Sequence, residues 1–264
     1  MRNEGDRFET GDYSFWSRIL EPSSEALIES AGVSAGNRVL DVAAGNGNTA
    51  LVAARRGAIV AALDFSPAQI ERGRRRARIE GGSVGWVEGD ARRLPFADES
   101  FDCSFNSFGD EIAVEEMFRI VRPGGVVGIN DWTGDGFFGA MEELYASLGL
   151  YAASVPEAEA EGYRPPWGQE DYVHAQMAPH AHRIDARREV IAARFESADS
   201  LSKDLLQKDP YLDVIVQELP AERRSHASDE LRRLLDEWNR ADDGGVLLEL
   251  NYLMTVATKR ETEA

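Results

Sequence analysis

The chain has 264 residues, enough to bury a sizeable core, and its 47 acidic against 29 basic side chains give a formal charge of −18 at pH 7. So acidic a surface repels a phosphate backbone or an anionic bilayer, which excludes nucleic acid and the membrane surface as main partners. One cysteine, Cys103, permits no intrachain disulfide, no stretch reaches the ~18 consecutive apolar residues of a membrane span, and the amino terminus has no apolar signal core. A cytoplasmic protein is expected.

Residues 1–37 read as a helical cap. Within it Ser23 to Ala31 has a helical pattern, with Pro22 at its start and Gly32 at its end, behind an aromatic piece holding Phe8, Tyr13, Phe15 and Trp16. Over 38–133 the apolar runs RVLDVA, AIVAALD, VGWVEGD, FDCSFN and VVGIN alternate with segments rich in Arg, Glu and Ala. That rhythm predicts a parallel sheet with crossover helices. Residues 134–182 break it with glycines, prolines, several aromatics and two short helical patterns, as an insertion covering a site would. Residues 183–264 hold a strand at Arg188 to Glu196, helices around Ser200 to Gln207 and near His226 to Arg240, and a closing strand from Leu250 to Lys259. The stripe Leu231, Leu234, Leu235 and Trp238 lies at helical spacing and is assigned to packing.

The informative stretch is VLDVAAGNGNTAL, Val39 to Leu51. A buried strand runs into glycines and then into a helix, the place where α/β sheets bind ligands. Gly45-x-Gly47-x-x-Ala50 satisfies the dinucleotide fingerprint, but Asp41 stands in the strand before it, and a carboxylate there suits an ammonium group better than a diphosphate. The second strand ends in Asp64-Phe65, which places an acid where a ribose diol can bond it; the third ends in Asp90-Ala91 followed by Leu94-Pro95-Phe96. A helix then stops at Arg122-Pro123-Gly124-Gly125, a tight reversal before the fifth strand.

In this order the five elements resemble class I S-adenosylmethionine-dependent methyltransferases of the small-molecule, natural-product type, with Ala43 in place of the motif's first glycine. The resemblance implies a Rossmann-like, doubly wound α/β domain with a seven-stranded, mostly parallel sheet, an antiparallel last strand, the helical cap and an insertion after the fifth strand. It implies S-adenosyl-L-methionine held by Asp41, Ala43, Gly45, Gly47, Asp64, Phe65, Asp90, Ala91, Asn106 and Ser107, with Tyr13 and Trp16 beside it. It also allows a homodimer. On the residues alone two alternatives stay open: a nicotinamide-dependent oxidoreductase, and a non-catalytic cofactor-binding partner protein.

The acceptor is expected over the ends of the fourth and fifth strands, against Phe108, Asp110, Glu111, Trp132, Phe137 and Trp167. Asn106 stands where amino-directed DNA methyltransferases carry a proline-bearing motif, but Ser107 follows it and no basic cleft is evident, so a small molecule is favoured. The aromatics suit a planar aromatic or heteroaromatic metabolite, methylated on O, N or an activated carbon such as an indole position. Arg164-Pro165-Pro166-Trp167-Gly168 resembles a stretch in actinobacterial-type methyltransferases of small metabolites. Candidate bases are Asp110, whose alternative is to open the following helix, and His174. The four histidines do not form a convincing metal set, and no metal is expected.

Overall fold

The computed structural model describes residues 13–109, 112–149, 166–209 and 211–261. Along these run α1 (Ser14–Ser30), β1 (Arg38–Val42), α2 (Asn48–Arg55), β2 (Ile59–Asp64), α3 (Pro67–Glu80), β3 (Val84–Glu88), β4 (Phe101–Ser107), α4 (Val114–Ile120) and β5 (Val121–Trp132). They continue as α5 (Phe137–Leu148), α6 (Glu170–Met177), β6 (Ala181–Phe195), α7 (Ala198–Lys208), α8 (Leu212–Glu218), α9 (Ala221–Trp238) and β7 (Val246–Lys259). The seven strands form one mixed sheet in the order β3-β2-β1-β4-β5-β7-β6.

The registers of β1 with β2 and β4, of β2 with β3 and of β4 with β5 are parallel. β7 reverses. The Thr133 N–H, just past the end of β5, donates to the carbonyl of Asn251 at 3.2 Å, whereas Lys259, at the end of β7, reaches the carbonyl of Val121 at the start of β5. Likewise the N–H of Arg260 donates to the carbonyl of His180 at 3.0 Å, while Gly245 lies beside Phe195, so β6 and β7 also run in opposite senses.

Three local readings change. Pro22 does not start a helix; it lies inside α1, which begins at Ser14. A proline there costs a backbone hydrogen bond, but Trp16, Ser23, Ser24, Leu27 and Ile28 bury one helical stripe, and that burial outweighs the local penalty. Arg122-Pro123-Gly124-Gly125 is not a reversal ahead of the fifth strand. Phe101 pairs with Val121 and Cys103 with Val126, so the four residues bulge out of a strand that begins earlier, with Gly124 at φ 69°. Arg188 to Glu196 is the end of a longer strand, and α8 has no counterpart among the elements read from sequence.

The described residues cluster into two compact units. One draws on 1–19, 132–166 and 190–252 and contains α5 and α7 to α9. Its polar centre is Asp209, buried, whose carboxylate accepts from Trp16 Nε1 at 3.1 Å, from the Tyr145 hydroxyl at 3.2 Å and from the backbone N–H of Tyr211 and Leu212. The other draws on 20–131, 167–189 and 253–264.

In the second unit one sheet face packs Leu40, Val42, Val127 and Ile129 against Met117 and Phe118 of α4, with Val173 and Met177 of α6. Across the opposite face runs one row fixed by register: Trp86, Ala62, Asp41, Phe105, Gly128. Large and small alternate. A methyl group on Gly128 would lie 2.7 Å from Cδ1 of the fully buried Phe105, so that ring occupies the space glycine leaves. Gly128→Ala should therefore destabilise the protein by ~1–3 kcal/mol in denaturant unfolding, and Phe105→Leu in the same chain should recover part of it. Unaltered stability in Gly128→Ala would show that the row has slack.

Candidate active site

The glycine turn gets its shape from backbone conformations that side chains resist. Ala43, Gly45 and Gly47 have φ of 52°, 54° and 89°. The left-handed alanine costs roughly 1–2 kcal/mol relative to an ordinary conformation, which is why a glycine is the usual choice there. Gly47 then caps α2, its N–H donating to the carbonyl of Ala44 at 2.8 Å. In front of Gly45 is open space: a methyl group added there would meet nothing within 4 Å.

Two carboxylates close around this turn. Asp41 is 2 % exposed, and its Oδ2 accepts the Ala50 N–H at 2.8 Å from the first turns of α2. Burial pushes its carboxyl up to about 7, against the lowering effect of the Ala50 N–H and helped by the charge of Asp64. Asp64 is also buried and its carboxyl is likewise raised by burial; Oδ2 accepts from Gly45 N–H at 2.7 Å and Oδ1 from Ser66 N–H at 2.9 Å. Phe65, next to it, is 49 % exposed, an aromatic face left open beside an acid at a strand end. Among the described residues no basic side chain pairs with either acid, and a ligand that brings an ammonium would stabilise both.

At the end of β3, Asp90 caps the short turn Ala91–Arg93 by accepting from Arg92 N–H at 2.8 Å, and it pairs with the Arg92 guanidinium at 2.9 Å. Those Arg92 bonds hold the carboxyl below its usual range. Ala91 is buried. At the ends of β4 and β5, Asn106 is buried and its Oδ1 accepts from Gly109 N–H at 3.0 Å, which forces Phe108 between them to φ 59°. Asn130 Nδ2 donates to the carbonyl of Ser23 in α1 at 3.2 Å and to Ser107 Oγ at 3.1 Å. Ser107 therefore accepts from Asn130 and keeps its own proton for another partner.

The structure thus brings Asp41, Ala43, Gly45, Gly47, Asp64, Phe65, Asp90, Ala91, Asn106, Ser107 and Phe108 to the carboxyl ends of β1 to β4. Several other candidates are placed elsewhere. Trp16 spends its indole N–H on Asp209 and is buried, so it packs within its unit and is not a free cofactor contact. Phe137 is fully buried, and Trp167 is core, edge-on to Tyr172 at 5.2 Å. His174 is exposed on α6, whose Val173 and Met177 face the core. Tyr13 lies half-buried in the turn before α1 and its carbonyl accepts from Ser17. Asp110 and Glu111 lie outside the described residues. Trp132 is half-buried and stacks on Phe138, ring centres 3.8 Å apart at 18°. Phe138 is among the aromatics the sequence offers for an acceptor cavity, whereas sequence reasoning passed over Asn130 as an orienting group and Trp86. Among the described residues no cluster of His, Cys, Asp and Glu is placed to hold a metal ion, and no helix is long and apolar enough to cross a membrane.

Comparison with known proteins identifies the family. Residues 39–125 match the family model described as a methyltransferase domain. The uncharacterized protein Rv1405c of Mycobacterium tuberculosis is 33 % identical over 267 residues, covering 95 % of this chain and 92 % of that protein. Over 100 residues, 36 % of this chain and 41 % of the relative, this chain is 47 % identical to a demethylmenaquinone methyltransferase of Mycobacterium sp. strain KMS. In fold it is similar to Haemonchus contortus phosphoethanolamine N-methyltransferase 2, solved with phosphomonomethylethanolamine and S-adenosylhomocysteine, at a TM-score of 0.58, 17 % identity and coverage of 99 % of this chain and 61 % of that one. The chain belongs to the class I S-adenosylmethionine-dependent methyltransferases. It is an enzyme of that class, its cofactor is S-adenosylmethionine, and the nicotinamide and non-catalytic alternatives fall away.

The residues present fit that cofactor. Open space before Gly45, two buried acids with no basic partner among the described residues and the exposed ring of Phe65 match a sulfonium amino acid joined to a nucleoside. If Asp41 takes the ammonium, it must be ionised to do so, and the raised carboxyl loses its charge as pH falls. S-adenosylhomocysteine affinity, measured by calorimetry, should hold above pH 7 and fall by about tenfold per unit below it. Asp41→Asn should lower affinity by roughly 10- to 100-fold and flatten the profile. The sign for stability is opposite. A carboxyl raised above its unfolded value stabilises the fold at low pH and loses that contribution as pH rises through about 7, so cofactor-free Asp41→Asn should melt higher than wild type at pH 8. Wild-type affinity in folded Asp41→Asn would contradict the assignment.

Proposed function

We propose that this methyltransferase acts on a small planar aromatic or heteroaromatic acceptor, at O, N or an activated carbon. The single observation that carries the reading is the Trp132–Phe138 stack at the end of β5, two nearly parallel, half-buried rings at 3.8 Å that form an aromatic surface of the kind that suits a planar ring. Two of the similar proteins are named for, or solved with, small acceptor molecules, which supports that size class.

When bound, S-adenosylmethionine supplies a methyl group already made electrophilic by its sulfonium. The chain's own work is then positioning and exclusion of water, which can contribute about 7–11 kcal/mol without a strong acid or base. In this reading Asp41 fixes the ammonium, Asp64 the ribose hydroxyls, and Phe65 and Asp90 the adenine. Asp90 has to share its lone pairs with Arg92. Ser107, its oxygen already bonded by Asn130, offers its proton to the methionine carboxylate or to an acceptor oxygen. Phe108 projects from a left-handed backbone at the end of β4 and shapes the acceptor's approach, and Asp110, two residues on, takes the acceptor's proton where one must leave.

The test is a panel of phenols, aromatic amines, indoles and aliphatic amines incubated with S-adenosylmethionine and read by mass spectrometry for one added methyl. Turnover should be confined to the aromatic members. Trp132→Ala and Phe138→Ala should each raise the acceptor KM about tenfold while leaving S-adenosylhomocysteine affinity unchanged. Turnover only of aliphatic amines, or identical acceptor KM in both variants, would contradict the reading.

A further inference from the structure

The turn that carries the cofactor chemistry is braced from the edge strand of the sheet by a side chain outside the motif. Trp86 lies on β3, and register places it in the same row as Asp41, with Ala62 of β2 between them. Ala62 is fully buried and offers only a methyl group, so the indole can lie across it. The far edge of that ring fills two spaces that glycines leave. A methyl group on Gly47 would stand 2.5 Å from Trp86 Cη2 and 3.3 Å from Cζ2, and one on Gly73, in the middle of α3, would overlap the same ring edge. Gly47 is the left-handed cap of α2, and α2 supplies the Ala50 N–H that bonds Asp41. Arg76 of α3, three residues on from Gly73, adds a second tie by donating to Asn48 Oδ1 at the start of α2.

The geometry points to Trp86 as a positioning residue for S-adenosylmethionine: wedged between Gly73 and Gly47, it sets the first turn of α2 and through it the seat of Asp41. This rests on the assignment of Asp41 to the cofactor. Ala62 separates Trp86 from Asp41 in the row, and the influence of the ring passes through two glycines. A glycine in the middle of a helix usually costs stability relative to alanine, so Gly73 has a packing reason to be there, and the ring is that reason.

The same fact makes Gly73→Ala a discriminating variant. Alanine strengthens α3 as a helix, so a loss of cofactor affinity cannot come from a weakened helix and must come through the displaced ring. S-adenosylhomocysteine titration should show Kd raised at least fivefold in Gly73→Ala, with the acceptor KM unchanged within twofold. Trp86→Leu should weaken binding similarly. The double variant Gly73→Ala, Trp86→Leu should bind no worse than Trp86→Leu alone, because the leucine leaves room for the new methyl group. Wild-type affinity in Gly73→Ala, or strictly additive losses in the double variant, would overturn the wedge. Should Gly73→Ala not fold, wild-type affinity in Trp86→Leu overturns it by itself, and a Kd raised at least fivefold there, recovered by Trp86→Phe, supports it. Wild-type affinity in Asp41→Asn would instead overturn the underlying site assignment, so the two failures are distinct.

Discussion

The site depends on one carboxylate kept out of water before its partner arrives. Asp41 sits in the third place of the row Trp86, Ala62, Asp41, Phe105, Gly128, with the fully buried ring of Phe105 on one side and a methyl group on the other. Its described hydrogen bond is the N–H of Ala50, which is too little to offset the loss of hydration, and the carboxyl is raised to about 7 as a result. A cation lying against it gains from the same low dielectric that makes the empty state costly. In the proposed reading the cost that folding bears at Asp41 is offset when the cofactor's ammonium binds, the usual exchange between stability and function.

Around this acid the chain accepts further local costs. Ala43 and Phe108 are both in left-handed backbone, one at the end of β1 and one at the end of β4, and a methyl group added to Gly109 would stand 2.9 Å from Cβ of Ala43. The two strained turns therefore touch. Strain that persists at such a place is held by the hydrogen bonds that surround it, here Gly109 N–H to Asn106 Oδ1 and Phe108 N–H to the carbonyl of Asn130. Asn130 in turn is tied to α1 through the carbonyl of Ser23, and Ser24 of the same helix lies 3.1 Å from Thr49 in α2. The residue 20–30 part of α1 is thus fastened to both the start of α2 and the fifth strand.

What the sequence disclosed follows from what is local. Asp41, Gly45, Gly47, Asp64 and Asp90 fall at strand ends that hydrophobic runs announce, so their placement could be read from order and spacing. The misreadings share a cause. Composition suggests a cavity for Trp16, Phe137 and Trp167, but an aromatic ring says only that it will bury area, and partners such as Asp209 for Trp16 and Trp238 for Phe137 are distant in sequence. Pro22 was read by its local preference when tertiary packing decided the matter. Trp86 was invisible for a related reason: nothing in VGWVE tells that the ring will cross Ala62 to meet glycines at 47 and 73, which takes the register of three strands to see.

The most direct measurement of the central claim is the proton balance of binding. Calorimetry of S-adenosylhomocysteine at pH 7 in buffers of different ionisation enthalpy counts the protons exchanged, and an acid with its midpoint near 7 that becomes fully ionised against an ammonium releases about half a proton. The account predicts that release, its decline toward zero by pH 9, and its absence in Asp41→Asn. A wild-type protein that binds with no proton exchange at pH 7, or that takes protons up, would show that Asp41 does not meet the ligand's positive charge.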